Sequence, residues 1–368
     1  MILDRCDIPV VLAPLAGRPS TPELAAAVSD AGGLGFLAAG YLSAGELASR
    51  RRQLAGLTSR PFGVNLFVPG PAGDAARVRE FAAEIEPDVS GVGARLGEAR
   101  HDDDDWDAKI EYLTGDPADV VSFTFGIPGE DVTEGLRARG SEVWVTVTSL
   151  DEARRAAAAG ADVLVVQGYE AGGHRGGPGD APEEAVGLIA LLQLITARLS
   201  TPVVAAGGIA TGSAIAAVLC LGARAAALGT AFLGCPEAGT APVHRDALRE
   251  GAPTRLTRAF SGRTARGIEN GFLRAHSQSA PAAYPEVHHL TSPMRKQARQ
   301  AGLADYVNLW AGQAYPLTAA VPAADLVRDL WQQAQDALGR AVDGFPPPWR
   351  PPVTPRREPS EDEFHARG

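Results

Sequence analysis

Short apolar runs alternate with alanine-rich helical patterns along the first two thirds of this chain. The runs show little polar–apolar alternation, which is typical of strands covered on both faces in a parallel sheet. Eight runs predict strands at residues 8–15, 33–39, 61–68, 119–125, 142–147, 162–166, 202–206 and 225–228. Helices are predicted between them at 21–31, 43–55, 75–85, 131–138, 150–159, 183–199 and 212–221. A strand followed by a helix about eight times predicts an α/β fold, the (β/α)8 TIM barrel.

The pattern also divides the chain into parts. We expect residues 1–240 to form the barrel, with an enlarged segment at about 72–117. Beyond it the pattern becomes helical with loops, so residues 241–345 are predicted to form a helical C-terminal addition that packs at the active-site side. The proline-rich and then charged segment 346–368 is predicted to be a disordered tail.

The enlarged segment contains an acidic run, residues 101–106 (HDDDDW). Such a run can mimic a metal site. Consecutive aspartates, however, point in different directions and repel one another, whereas they suit the N-terminus of a helix. The run therefore predicts a solvated helix start, and no metal site is expected.

Composition limits the class of partner. The chain has 368 residues, a net charge of −10 and a pI near 5.3, which disfavours binding to nucleic acid or to anionic membranes. Cys6, Cys220 and Cys235 are odd in number and lack paired metal-ligand spacing, so neither a disulfide framework nor a zinc site is expected. With no signal peptide and no apolar run near the roughly 20 residues that span a bilayer, we expect a cytoplasmic protein. The oligomeric state stays open, with a homodimer as one option.

Glycine-rich segments stand where the predicted strands end. The sixth strand runs into residues 167–177 (QGYEAGGHRGG), the seventh into Gly207 and Gly208, and the eighth into Gly229 and Thr230. In a barrel these ends converge on one face, and the last two loops commonly bind phosphate through backbone amides. The alternative is that the glycines merely permit tight turns. His174 brings a group that titrates near neutral pH to this face.

Several of these segments together resemble the nitronate monooxygenase family, formerly called 2-nitropropane dioxygenases. The similarity extends from residue 9 to about residue 321. It rests on segments 22–33 (PELAAAVSDAGG), 63–67 (GVNLF), 170–174 (EAGGH) and 206–209 (AGGI), with support from 284–291 (YPEVHHLT) and 309–313 (LWAGQ). The resemblance implies an FMN-binding barrel of the bacterial class I type that uses dioxygen to oxidise anionic alkyl nitronates to carbonyl compounds and nitrite.

The resemblance also implies which residues hold the cofactor. The flavin phosphate is expected on the loop of Gly207 and Gly208 and on the segment Ala227, Leu228, Gly229 and Thr230. The isoalloxazine is expected against the backbone of Ala13 and Pro14 and against Asn65, Gln167 and Gly172, and Gly173 is expected to bind the cofactor as well. Neutral amides suit the ring edge and backbone donors suit a phosphate dianion. Ala227 departs from the family, which often has glutamine there, so only a backbone contact is expected at that position.

His174 is the predicted catalytic residue. The matching family histidine lies over the flavin, where a neutral imidazole can take a proton from a nitroalkane and an imidazolium can hold a nitronate. His288 and His289 are adjacent in sequence and are expected to pack or cap rather than to catalyse.

Two other hypotheses remain. The same superfamily contains FMN barrels that reduce quinones or enoyl thioesters with NAD(P)H, and family membership alone does not separate these activities. The third hypothesis is a flavin-free phosphate-binding barrel, such as a sugar-phosphate lyase or isomerase, or a non-enzymatic protein that binds a small molecule. Such lyases usually need a lysine or paired carboxylates at strand ends, and none of the eight predicted ends supplies them.

Overall fold

A closed ring of parallel strands forms the centre of the molecule. The computed structural model describes residues 1–180 and 185–343. Its strands are β1 (Val10–Leu12), β2 (Gly35–Ala38), β3 (Phe62–Phe67), β4 (Val120–Thr124), β5 (Glu142–Val147), β6 (Val163–Gln167), β7 (Gly173–His174), β8 (Val203–Ala206), β9 (Ala225–Leu228), β10 (Thr254–Thr257) and β11 (Ala265–Ile268). Eight of them pair in the order β1-β9-β8-β6-β5-β4-β3-β2. A parallel bridge between Val11 and Leu34 joins the two ends. The predicted TIM barrel and its eight strands are confirmed.

Helices surround this barrel and extend beyond it. They are α1 (Pro22–Asp30), α2 (Ala44–Leu57), α3 (Ala75–Gly91), α4 (Trp106–Gly115), α5 (Glu130–Ala138), α6 (Leu150–Ala158), α7 (Leu188–Thr196), α8 (Gly212–Cys220), α9 (Pro242–Glu250), α10 (Gly271–His276), α11 (Glu286–Ala301) and α12 (Ala323–Asp343). Their starts follow the sequence signals: the Thr21 hydroxyl accepts the Leu24 N–H at 3.0 Å, with Pro22 in the first turn. None of the helices in the described ranges is both long and apolar enough to cross a bilayer.

The last helix completes the ring around the barrel. α12 packs against α8 and α1, although the division drawn from sequence groups it with the C-terminal addition. The approach is close, because a Cβ on Gly212 would lie 2.3 Å from the Cβ of Gln333. The predicted tail at 346–368 lies outside the described residues.

The C-terminal part also contains a sheet that the sequence prediction missed. β10 and β11 form an antiparallel hairpin, and β11 pairs on its other edge with the two-residue strand β7. The prediction of helices and loops alone after residue 241 is therefore incomplete. These strands are short and carry Arg255, Arg266 and Gly267, so they lack a strand-like apolar pattern. Because Ala265 pairs with His174, the hairpin fixes the backbone of the glycine-rich loop.

The acidic run does precede a helix, but it is not simply solvated. α4 begins at Trp106, as expected. The Asp104 carboxylate, however, is 20% exposed, lies 2.8 Å from the buried Lys109 ammonium and accepts the Tyr41 N–H at 2.8 Å. Burial raises the pKa of Asp104 to about 6. The prediction of a solvated start was wrong for this residue, because it anchors the loop that follows β2.

Candidate active site

A cavity of about 410 Å³ opens at the carboxyl ends of the barrel strands. Phe36 and Trp144, whose ring centroids lie 5.7 Å apart inside the barrel, contribute to its lining. The structure brings nearly all of the residues expected at the site to this cavity: Ala13, Pro14, Asn65, Gln167, Gly172, Gly173, His174, Gly207, Gly208, Ala227, Gly229 and Thr230. Leu228 differs, because its side chain is buried in the hydrophobic core.

The glycine loops present free backbone donors. Gly207 and Gly208 both have positive φ, +107° and +69°, a conformation that L-residues rarely adopt. The N–H groups of Gly207, Gly208, Gly229 and Thr230 have no acceptor among the described residues. Unpaired amides that converge on a cavity can bind an anion. The glycine loops therefore leave backbone donors free at the cavity as well as permitting tight turns.

The two side-chain amides expected at the site are partly committed to the protein itself. Gln167 donates to the His174 carbonyl at 3.1 Å and accepts the Gly176 N–H at 2.8 Å, so it shapes its own loop. Asn65, which is 1% exposed, donates to the Ser122 carbonyl at 3.2 Å and to the Ser122 hydroxyl at 3.0 Å. Both residues thus have fixed orientations at the cavity wall.

His174 is held in one tautomer. Its Nε2 lies 2.9 Å from the Ser261 hydroxyl, which in turn donates to the Arg263 carbonyl at 3.2 Å. Since that hydroxyl has a single hydrogen, Nε2 must be the donor in the first bond. Nδ1 then carries the lone pair, and it has no hydrogen-bond donor among the described residues, so it can accept a proton.

The surroundings of His174 keep its imidazole neutral. Phe125, Tyr284 and Trp310 place their ring centroids 5.6, 5.9 and 5.5 Å from it. Burial lowers the pKa of His174 to about 3, and the positive charge of Arg263 adds to the effect. The imidazole is therefore a weak base at neutral pH.

The cavity is electropositive although the chain is acidic overall. Its lining carries Arg18, Arg295 and Arg299 and, within the described parts of the chain, no aspartate, glutamate or lysine. Two of the three guanidinium groups donate hydrogen bonds to uncharged side chains, which do not neutralise their positive charge. Arg295 donates to the Thr291 hydroxyl at 3.0 Å, and Arg299 donates to the Asn308 side-chain oxygen at 3.3 Å. Burial lowers the pKa of Arg295 to about 10, so it stays charged at neutral pH. Such a cavity favours anions.

Sequence reasoning missed several residues at this cavity. Ser261, Arg295 and His288 reach it from the C-terminal part, about 90 to 120 residues after His174. His288 packs on Tyr41, as its expected packing role requires, and it also lines the cavity, whereas His289 pairs with Asp102 at 2.8 Å. No local spacing marks these positions, because the contacts form only when the β10–β11 hairpin and α11 fold back over the barrel.

Buried neutral histidines should make the fold sensitive to acid. Burial lowers the pKa of His174 to about 3, that of His244 to about 4 and that of His288 well below 6.5. Below pH 6.5 the unfolded chain binds protons that the folded chain does not, so stability is complete above that pH and falls as the pH falls, by roughly 1.4 kcal/mol per pH unit for each group. Asp104, with its raised pKa, offsets part of this loss.

Replacing one of these histidines should make the fold less sensitive to acid. Between pH 7 and pH 5, we expect the His244→Phe variant to lose less thermal stability than the wild type, because it lacks one buried neutral imidazole. Equal losses in the two proteins would contradict a lowered pKa for His244.

Comparisons with known proteins agree with this geometry. The family model described as nitronate monooxygenase matches residues 4–333. The chain belongs to the nitronate monooxygenase family. The resemblance drawn from the sequence is therefore confirmed. The family consists of flavin-dependent oxidoreductases.

Individual relatives cover almost the whole chain. The nitronate monooxygenase of Pseudomonas aeruginosa is 42% identical over 88% of this chain and 95% of its own length. That of Paraburkholderia phytofirmans is 39% identical over 90% and 93%. Among solved structures, nitroalkane oxidase from Streptomyces ansochromogenes superimposes with a TM-score of 0.90 at 47% identity, over 92% of this chain and 99% of that one. FabK from Thermotoga maritima superimposes with a TM-score of 0.74 at 25% identity, over 94% and 97%.

Proposed function

We propose that this protein binds FMN and uses dioxygen to oxidise alkyl nitronates to carbonyl compounds and nitrite. The observation that carries the proposal is the character of the cavity. It combines free backbone donors, three arginines and a neutral histidine, without a carboxylate among its described lining residues. An anionic cofactor and an anionic substrate both suit such a site.

The residues present fit FMN. The free N–H groups of Gly207, Gly208, Gly229 and Thr230 match the acceptors of a phosphate. Gly172 lets the loop after β6 lie directly on the C-terminal segment, since a Cβ there would be 2.4 Å from the Gly312 nitrogen. Asn65 and Gln167 line the same cavity and would border the ring with neutral amides. When bound, FMN would supply the electron transfer and the reaction with oxygen, and the protein would position and tune the reactants.

The charge of the cavity favours the ionised substrate. Arg295 and Arg299 would attract a nitronate, which carries its negative charge on the nitro oxygens. A sugar-phosphate lyase, the flavin-free hypothesis, gains no support here, because the described lining lacks the lysine or paired carboxylates that such chemistry uses.

The weak basicity of His174 should separate nitronates from neutral nitroalkanes. A nitroalkane must lose a carbon-bound proton before it can be oxidised, and a base with a pKa of about 3 is far from the value near the working pH that serves proton transfer best. A nitronate has already lost that proton. We expect the FMN-loaded protein to release nitrite from propyl-2-nitronate roughly 10²-fold faster than from freshly dissolved 2-nitropropane at pH 7. Equal initial rates would count against a nitronate as the preferred substrate.

A further inference from the structure

His288 is built into the cavity wall by an aromatic stack. It lies in the first turn of α11, and its ring stacks on Tyr41 with centroids 4.0 Å apart and planes 6° from parallel. The ring of Tyr284 packs near both cavity histidines, with centroids 5.9 Å from His174 and 6.3 Å from His288. The two imidazoles therefore face the same cavity across one tyrosine.

The tautomer of His288 follows from its partner. The Nη2 of Arg295 lies 3.3 Å from His288 Nδ1 and donates to the His288 carbonyl at 2.7 Å. A guanidinium has only donors, so Nδ1 must accept and the ring hydrogen must be on Nε2. Burial and the charge of Arg295 hold the pKa of His288 well below 6.5, so the ring is neutral.

The Nε2–H group of His288 has no hydrogen-bond acceptor among the described residues, and Nε2 is not among the fully enclosed, unpaired polar atoms of the interior. His288 lines the cavity, so this N–H is presented to whatever binds there.

We propose that His288 is a second catalytic residue, which donates a hydrogen bond from Nε2 to a nitro oxygen of the substrate, with Arg295 as the positioning residue that sets its tautomer. The proposal rests on the proposed function and extends it. His174 presents a lone pair and His288 presents a donor, so the two neutral imidazoles are complementary. A nitronate needs donors at its oxygens, whereas the acceptor on His174 serves a neutral nitroalkane, whose carbon-bound proton must leave first.

Two substitutions separate the donor from the rest of the side chain. His288→Asn places an amide near the Nδ1 position, where it can still accept from Arg295, but it lacks the distant donor. His288→Gln carries an amide to the Nε2 position and can donate there. For FMN-loaded protein with propyl-2-nitronate, we expect kcat/KM to fall roughly 10- to 100-fold in His288→Asn, the worth of one hydrogen bond to a charged group, and to recover substantially in His288→Gln. FMN content and melting temperature should change little in either variant.

The neighbouring histidine provides a matched control. His289 is directed at Asp102 and is absent from the cavity lining, so His289→Asn should keep wild-type kinetics. The tautomer is tested without any variant by a two-bond ¹H–¹⁵N spectrum of histidine-labelled holoprotein, which should show His288 with its hydrogen on Nε2. In the Arg295→Gln variant, the preference of the His288 ring hydrogen for Nε2 over Nδ1 should weaken.

The outcomes are distinct. A His288 hydrogen on Nδ1 in the wild type, or unimpaired nitronate turnover in a folded His288→Asn variant, would overturn the role of His288 and leave the proposed function intact. A flavin-loaded wild type that oxidises no nitronate would refute the proposed function and this inference with it.

Discussion

His174→Gln should nearly abolish the oxidation of neutral nitroalkanes while leaving FMN bound. Glutamine can still donate to the Ser261 hydroxyl, which lies 2.9 Å from His174 Nε2, but it offers no basic lone pair in place of Nδ1. Loss of a general base typically costs about 10²- to 10⁴-fold in rate. Turnover of a nitronate, which needs no deprotonation, should fall by less than about tenfold. Nitrite release from both substrates, corrected for ionisation in solution, measures the difference.

The two substrates together make this result specific. A purely structural role for His174 would lower both rates equally, and it would lower the flavin content or the melting temperature as well. If neither rate changed, His174 would have no part in the reaction. The Ser261→Ala variant removes the acceptor that fixes the His174 tautomer. It should therefore lower the rates less than His174→Gln does. Like that variant, it should lower the nitroalkane rate more than the nitronate rate.

Gly208→Val should release the flavin. Gly208 has a φ of +69°, and a Cβ there would lie 3.0 Å from the Cβ of Glu170. An L-residue in this conformation costs roughly 1–2 kcal/mol, and a β-branched residue costs more. Relief of that strain would turn the free N–H groups of the loop away from a phosphate. Because each 1.4 kcal/mol is about tenfold in affinity, we expect the dissociation constant for FMN to rise by at least roughly tenfold.

A second glycine separates local strain from loss of the site. Gly222 also has positive φ, +93°, but it follows α8 and does not line the cavity. A Cβ at Gly222 would meet Thr196 at 3.5 Å, an ordinary contact. Gly222→Val should therefore lower the melting temperature without changing FMN affinity. Stoichiometric, tightly bound FMN in Gly208→Val would show that the phosphate lies elsewhere.

The sequence was sufficient for the barrel and for the residues at its strand ends. The length of the apolar runs and their lack of polar–apolar alternation identify strands that are buried on both faces. The carboxyl ends of parallel strands in a barrel meet at one face, whatever the sequence of the loops. Asn65, Gln167, Gly208 and Thr230 belong to this part of the site, and all four line the cavity.

The other wall of the cavity could not be derived in this way. Ser261, His288 and Arg295 come from a hairpin and a helix whose placement depends on long-range pairing, such as that of Ala265 with His174. The same holds for Asp104, whose burial depends on Lys109 and on the loop after β2. A charge run is expected to be solvated, and adjacent histidines are expected to pack or cap, until the positions of distant elements are known.

Oxygen consumption by the purified, FMN-loaded protein tests the central claim most directly. Propyl-2-nitronate and then NADH would be supplied as the only reductant, with nitrite and acetone measured as products. We expect rapid oxygen uptake and nitrite release with the nitronate alone, and little uptake with NADH. Uptake with NADH and none with the nitronate would contradict the proposed function and favour an NAD(P)H-dependent reductase built on the same barrel.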